Sequence, residues 1–297
     1  MKESSMIDGH VCQLKTEGWC QIEDVIPLDR IGALREEVLS GHQQAIKDYT
    51  EWGGSWGFQT GPNGERGTCL VHYVPSLAAY FADKRVLGVA QAMLDPHVRI
   101  AQTEFKIRPP NDSNLDRRGF HTDFPHDLTD REQAGRVRMP FPNLTMGLTA
   151  LWILSPYTPE SGGTWIVPRS HLDLQNPRSH LDPRNPPDLY DNVPADQSIP
   201  GEIQLSGPAG SVVMIDSRIW HSAAANPSPE PRVTVLNRYA AWWLSLEFGG
   251  RNRAIIPRVT YDAMPDRVKL LYRHRAEGEF DPIRNSQEDV GGELPLK

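Results

Sequence analysis

The second half of this 297-residue chain consists of short apolar runs separated by turn residues, and this pattern limits the possible folds. The runs are rich in β-branched and aromatic residues, and they read VRIAQTEFKI, LTMGLTALWIL, GTWIV, EIQL, SVVMI and RVTVLNRYAAWW. Gly, Pro, Asn and Asp lie between them, which is typical of β-strands joined by turns. Many short strands of this kind predict a mainly β protein, either a sandwich or a barrel.

The first third of the chain has a helical pattern instead. After Pro27, apolar residues recur at the spacing of one helical face, at Leu28, Ile31, Leu34, Val38 and Leu39. A second helix is predicted over 76–94, because Asp95-Pro96 is a natural stop. A last helix is predicted over 262–275.

These patterns predict a single domain, 1–297. Residues from about 1 to 97 would form a helical cover, and about 98–245 a β-barrel core. Residues 246–297 would form a C-terminal helix and tail. The segments 52–68 and 171–197, rich in Gly or Pro, are candidate lids over a site.

Charge and composition exclude several classes of function. The chain carries 31 Lys and Arg against 38 Asp and Glu, a net charge of −7, which argues against binding nucleic acid or an anionic membrane. Its three cysteines include no CxxC pair and suggest neither a disulfide framework nor a thiolate metal site. The N-terminus lacks the apolar run of a signal peptide. We therefore expect a cytoplasmic monomer or homodimer with a small-molecule substrate.

The sequence His121-Thr122-Asp123 is the first candidate for chemistry. In an extended chain alternate side chains share a face, so His121 and Asp123 can bind one ion together. His221, just after the apolar run SVVMI, is the best candidate for a third ligand. Two His and one carboxylate form the facial triad of non-haem Fe(II) oxygenases. The alternative is that HxD occurs by chance and that His221 is a structural histidine.

Arg232, eleven residues after His221, is a candidate for binding a carboxylate. A guanidinium matches a carboxylate in two places, and the distal end of 2-oxoglutarate is such a group. If a turn through NPSPEP joins two antiparallel strands, Arg232 returns beside His221, and Thr234 shares its face. Without the triad, an edge arginine beside a Pro-rich turn is the simpler interpretation.

The chain resembles the phytanoyl-CoA dioxygenase family of Fe(II)/2-oxoglutarate oxygenases, which includes ectoine hydroxylase and natural-product tailoring enzymes. The resemblance lies in GWCQIEDVIPLDRIGALREEV, FHTDF, SGGTWIVPRSH and WHSAAANPSPEPRVTVLNRY. It implies a double-stranded β-helix (a jelly-roll, cupin-like fold) with flanking N-terminal helices. It also implies Fe(II), 2-oxoglutarate and O₂, with ascorbate as a stimulant, and oxidation of a small metabolite, most simply hydroxylation, with release of succinate and CO₂.

By this resemblance His121, Asp123 and His221 would hold iron, and Arg232 with Thr234 would hold 2-oxoglutarate. The chain departs from the family where Arg169 replaces the glycine of the frequent PGSH sequence. Related halogenases replace the carboxylate ligand with a small residue. The presence of Asp123 therefore favours hydroxylation or a related oxidation over halogenation.

The strand IAQTEFKIRPP carries polar side chains at alternate positions, which places Gln102, Glu104, Lys106 and Arg108 on one face. Such a face usually meets solvent. In the resembling enzymes the corresponding strand faces the cavity with a Gln and other polar residues. We therefore interpret Gln102 as a 2-oxoglutarate contact and Lys106 as a pocket residue.

Three further pocket residues are predicted. Phe120 flanks the HTD motif, His126 follows it closely, and Trp165 adjoins the Gly162-Gly163 turn. No cluster of Lys or Arg suited to the phosphates of acyl-CoA is visible, so the family's namesake substrate is not predicted.

Two other functions are compatible with the same residues. One is a zinc or manganese isomerase or hydrolase that does not use O₂, and it would leave Arg232 unexplained. The other is a non-catalytic ligand-binding relative that keeps the fold without turnover.

Overall fold

The computed structural model describes residues 2–51, 70–112, 118–123, 144–173, 198–244 and 256–272. Its strands form two antiparallel sheets, as the mainly β prediction requires. The larger sheet has the order β1-β7-β4-β9-β2. Its strands are β1 (Trp19–Ile22), β2 (Val98–Arg108), β4 (Gly147–Ile153), β7 (Val212–Asp216) and β9 (Arg232–Ala241).

The smaller sheet has the order β3-β8-β5-β6. Its strands are β3 (Arg118–His121), β5 (Trp165–Val167), β6 (Ile203–Gln204) and β8 (Trp220–Ala223). Strand β1 comes from the stretch predicted as a helical cover, and it pairs with β7 at the edge of the larger sheet. The N-terminal stretch is therefore not purely helical.

Helices flank the sheets, as predicted, but two of them are shorter than the sequence suggests. The helices are α1 (Lys2–Glu17), α2 (Leu28–Glu51), α3 (Leu70–Tyr73), α4 (Lys84–Met93), α5 (Arg258–Ala263) and α6 (Asp266–Tyr272). The helix predicted over 76–94 begins only at Lys84, because Asp83 caps it through hydrogen bonds from the backbone N–H groups of Arg85 and Val86. Pro265 divides the one predicted over 262–275. Among the described helices, none combines the length and apolar character needed to cross a membrane.

Successive side chains along a strand of the larger sheet point to opposite faces, so the sheet separates two apolar layers. Leu148, Ala150 and Trp152 of β4 belong to a core shared with the helices. Leu151 and Ile153 face the other way, toward the smaller sheet, and pack with Ile166. Leu151 and Ile153 of β4 therefore fill part of the space between the two sheets.

The connection between β8 and β9 differs from the predicted hairpin. β8 pairs with β3 and β5 in the smaller sheet, whereas β9 lies between β4 and β2 in the larger one. The NPSPEP segment therefore crosses from one sheet to the other. His221 and Arg232 consequently face one cavity from opposite sheets.

Candidate metal centre

A cavity lies between the two sheets, and most of the polar candidates from the sequence line it. The larger sheet contributes alternate residues of β2 and β9, and the smaller sheet contributes His121 and His221. Apolar side chains line it as well, among them Leu151, Ile215 and Leu236. The cavity is therefore a mixed site, with charged groups set against an apolar wall.

The structure brings the three predicted metal ligands together. His121 and His221 are directly opposite each other in the β3–β8 pair, with ring centroids 4.3 Å apart. One potential ligand atom from each of His121, Asp123 and His221 lies within 4.8 Å of the others. Two imidazole nitrogens, from the paired strands β3 and β8, and a carboxylate oxygen from just beyond β3 thus converge.

The orientation of His221 follows from the tight turn that precedes it. The Asp216 carboxylate accepts hydrogen bonds from the backbone N–H of Arg218 at 2.9 Å and from its guanidinium Nη2 at 2.8 Å. The turn places the carbonyl oxygen of Ile219 3.0 Å from Nδ1 of His221. When Nδ1 carries the proton and donates to this carbonyl, Nε2 keeps its lone pair. Nε2 is the atom near Asp123, 3.7 Å from Oδ1.

Asp123 is held as an anion by its surroundings. Its Oδ1 lies 2.8 Å from Nη2 of Arg238, and its Oδ2 accepts a hydrogen bond from the Thr149 hydroxyl at 2.7 Å. Burial opposes ionisation, but Arg238, the two histidines and the Thr149 hydrogen bond hold the pKa of this carboxyl well below its usual range.

This donor set suits a divalent iron. Its chemistry is that of the facial triad, and a triad of protein ligands leaves other positions on the metal open for small molecules. The ionised Asp123 and the available Nε2 of His221 are the forms that bind metal. The residues present therefore fit the group that the sequence suggests.

Arg232 projects into the same cavity and is tightly held. Its Nη1 donates to the carbonyl oxygens of Ser161 at 2.8 Å, Gly162 at 2.7 Å and Ala225 at 3.1 Å. Its Nη2 donates to Ala224 at 2.9 Å. Among the described residues, no hydrogen bond uses its Nε–H. The guanidinium is thus fixed while part of its donor capacity remains.

Tyr157 completes this end of the cavity, and the sequence does not single it out. The Arg232 guanidinium carbon lies 5.5 Å from the centroid of the Tyr157 ring, and the Thr234 hydroxyl is 3.1 Å from the Tyr157 hydroxyl. Burial lowers the pKa of Arg232, and Tyr157 and Asp112 act in the opposite direction. An anionic ligand here would compensate a charge that burial has taken from water.

The polar face of β2 points into the cavity and not into solvent. Glu104, Lys106 and Arg108 line it, and the Lys106 ammonium lies 2.7 Å from the Glu104 carboxylate. Gln102 is not among the lining residues. Its amide instead forms hydrogen bonds with Glu104 and Arg238, which do line the cavity. The structure therefore places Gln102 behind the residues that line the cavity, and its contact with 2-oxoglutarate stays a prediction.

Comparison with known proteins identifies the sequence family of this chain. The model of the phytanoyl-CoA dioxygenase (PhyH) family matches residues 14–234. The chain belongs to this family. The matched region contains all three converging ligands, together with Arg232 and Thr234. Membership supports a function of the dioxygenase type.

Individual relatives of this PhyH-family chain are distant. Dioxygenase af480 of Aspergillus fumigatus is 26% identical over 231 residues, which are 76% of this chain and 64% of that protein. The chain therefore spans less than two thirds of that relative's length.

Solved structures share the fold. HygX from Streptomyces hygroscopicus, with nickel and 2-oxoglutarate bound, is 17% identical with a TM-score of 0.56, covering 80% of this chain and 88% of HygX. EctD from S. alaskensis, with bound Fe, is 20% identical with a TM-score of 0.54, covering 78% of this chain and 75% of EctD. These likenesses confirm the jelly-roll architecture.

Three of the pocket residues predicted for this PhyH-family chain do not appear among the described residues that line the cavity. Phe120 is fully buried and packs with Val167 and Trp220, and it is not among the residues that line this cavity. Trp165 packs against the same cluster and is likewise absent from the lining. His126 lies outside the described residues, as do 52–68 and 174–197 of the predicted lids.

Proposed function

We propose that this protein is an Fe(II)/2-oxoglutarate-dependent dioxygenase that hydroxylates a small organic metabolite. The observation that carries the proposal is the convergence of His121, Asp123 and His221 in the cavity that Arg232 also enters. A metal-binding triad accounts for the first three residues, and an anionic cosubstrate accounts for the fourth.

His121, Asp123 and His221 would hold Fe(II), and Arg232 with Thr234 would hold the distal carboxylate of 2-oxoglutarate. With O₂, the bound iron and cosubstrate would supply the oxidising power that converts a substrate C–H bond to C–OH, while 2-oxoglutarate loses CO₂ and leaves as succinate. One oxygen atom of O₂ would enter the substrate and the other the succinate. Ascorbate would keep the iron ferrous between turnovers.

The protein's own contribution is positioning and shielding. Arg232, fixed by four carbonyl oxygens, would orient the cosubstrate from one end. Leu151, Ile215 and Leu236 would keep bulk water from the reacting region. Glu104 and Lys106 on the polar wall would meet polar groups of the substrate.

The test is succinate formation by the full chain with Fe(II), ascorbate, 2-oxoglutarate and O₂, across a panel of small metabolites. We expect succinate only when 2-oxoglutarate and O₂ are both present, stimulated by the true substrate, and abolished in His221→Ala. Turnover of a metabolite without O₂ would contradict the proposal and favour an isomerase or hydrolase. Tight ligand binding with no succinate under any condition would favour a non-catalytic relative.

A further inference from the structure

Asp123 is gripped at both carboxylate oxygens by two residues that hydrogen-bond to each other. Arg238 lies 2.8 Å from Oδ1, and the Thr149 hydroxyl donates to Oδ2 at 2.7 Å. The Nε–H of Arg238 in turn donates to Oγ1 of Thr149 at 3.1 Å. The three side chains form a closed cycle in which each one fixes the other two.

The rest of Arg238 is equally constrained. It is 4% exposed and lies on the interior strand β9, opposite Thr149 of β4 on one side and Gln102 of β2 on the other. Its Nη1 donates to the Gln102 amide oxygen. Contacts from three directions hold this guanidinium, so its position beside Asp123 is set by the larger sheet.

Asp123 itself lacks such support from its own strand, since β3 ends at His121. A carboxylate two residues beyond a strand end has rotational freedom that a metal ligand must lose. Hydrogen bonds from outside the ligand set commonly supply this orientation in metal sites.

We infer that Arg238 and Thr149 are positioning residues that fix the Asp123 carboxylate in its metal-binding orientation. The inference rests on the proposed function, in which Asp123 is a metal ligand. Arg238 lies beyond residues 14–234, the region that the family model matches, so this role is assigned by the geometry of this chain.

The test measures metal binding alone, with free Mn(II) counted by electron paramagnetic resonance in the absence of 2-oxoglutarate. We expect Arg238→Gln to raise the Kd for Mn(II) about 10- to 100-fold, the usual effect of losing an outer hydrogen-bond partner. Thr149→Val, which is nearly isosteric, should raise the Kd by a smaller factor. Arg238→Lys should recover part of the loss, because it keeps the charge without the fork.

The matched control is Arg99→Gln, which removes another buried arginine, 3% exposed, on β2 outside the cavity lining. We expect it to leave the Kd for Mn(II) unchanged. If Arg238 had only a structural role, Arg238→Gln and Arg99→Gln would both lower the melting temperature and leave the Kd for Mn(II) unchanged. This result would overturn the inference.

The direction of the effect is itself decisive. If Arg238 acted only as a competing cation, its removal would tighten Mn(II) binding, and that result would also overturn the inference. In an Asp123→Asn background, Arg238→Gln should change the Kd little, since the positioned anion is already absent. An equal change in both backgrounds would contradict positioning through Asp123.

Failure of the proposed function is distinguishable from failure of this inference. Should the wild-type chain bind Mn(II) through Asp123 and the variants behave as expected, absence of succinate formation would reject the function alone. Normal succinate formation with unchanged Mn(II) binding in Arg238→Gln and Thr149→Val would reject the inference alone.

Discussion

Nη1 of Arg232 donates a 2.7 Å hydrogen bond to the carbonyl oxygen of Gly162, and each residue depends on the other. Gly162 has a φ of +72°, and a Cβ there would stand 2.8 Å from this same Nη1. The turn at Gly162, which precedes β5 of the smaller sheet, thus helps to fix the position of Arg232 on β9 of the larger sheet. The proposed cosubstrate anchor is therefore shared between the two sheets.

Replacing Arg232 tests its proposed role directly. Arg232→Gln removes a charged donor worth about 1.5–3 kcal/mol to a carboxylate, so the Kd for 2-oxoglutarate should rise about 10- to 100-fold. Calorimetric titration of 2-oxoglutarate into the Mn(II)-loaded protein gives this value. Unchanged affinity in a variant with a native circular dichroism spectrum would remove Arg232 from the anchor.

Gly162→Ala should displace the Arg232 guanidinium while Arg232 itself is kept. The new Cβ would stand 2.2 Å from the Ala225 carbonyl oxygen, in a backbone conformation that L-residues rarely adopt. Gly201→Ala is the matched control, because φ is +81° there but nothing lies within 4 Å. Overpacking should cost Gly162→Ala about 1–3 kcal/mol more than the control in urea unfolding, and 2-oxoglutarate affinity should fall only in Gly162→Ala. Equal losses of stability in the two variants would show that backbone strain alone matters.

The candidate site is predictable from the sequence as far as alternation along strands is followed. Alternation correctly joins Glu104 and Lys106 on one face of β2. The same rule, continued from Arg232 and Thr234, reaches Arg238, which is not among the predicted site residues. Since residues at i, i+2 and i+4 share a face, the sequence does contain the signal for Arg238.

The same rule explains why two of the predicted pocket residues do not line this cavity. Phe120 directly precedes His121 on β3, so their side chains point to opposite faces, and only His121 reaches the cavity. Trp165 is opposite Ser222, one residue beyond His221, and so lies on the other face of the smaller sheet. The residue next to a metal ligand along a strand therefore points away from the cavity.

The path of β8 and β9 is harder to predict. A turn through NPSPEP is compatible with a hairpin or with a crossing between sheets, and local propensity does not separate them. The choice depends on pairing with β3, β4 and β5, which are distant in sequence. The sequence thus predicts that His221 and Arg232 share a cavity, but not that they come from opposite sheets.

Arg169, which departs from the family's frequent glycine, should be locally strained. It adopts a φ of +71° and a ψ of −5°, and its backbone N–H donates to the carbonyl oxygen of Glu17 at 2.9 Å. A left-handed conformation costs an L-residue with a Cβ about 1–2 kcal/mol. Arg169→Gly should therefore be about 1 kcal/mol more stable than Arg169→Ala in urea unfolding. Equal stability of the two variants would contradict local strain.

Stability should fall in mild acid because His42 is buried in its neutral form. His42 packs on Phe105, with ring centroids 5.1 Å apart, and burial lowers its pKa from 6.5 to about 4. Its folded pKa lies below its unfolded one, so the contribution is complete above pH 6.5 and is lost as the pH falls toward 4. At about 1.4 kcal/mol per pH unit, the loss from His42 between about pH 7.5 and about pH 5 is about 2 kcal/mol.

His42→Leu isolates this contribution from those of His10, His72 and His171, whose pKa values burial also lowers. We expect the difference in unfolding free energy between the two pH values to shrink by about 2 kcal/mol in His42→Leu. Urea titrations at each pH measure it, and the exposed His97, changed to Gln, is the control that should leave the difference as it is. If His42→Leu keeps the full wild-type difference, the acid sensitivity arises elsewhere, because a leucine at position 42 has no proton to gain.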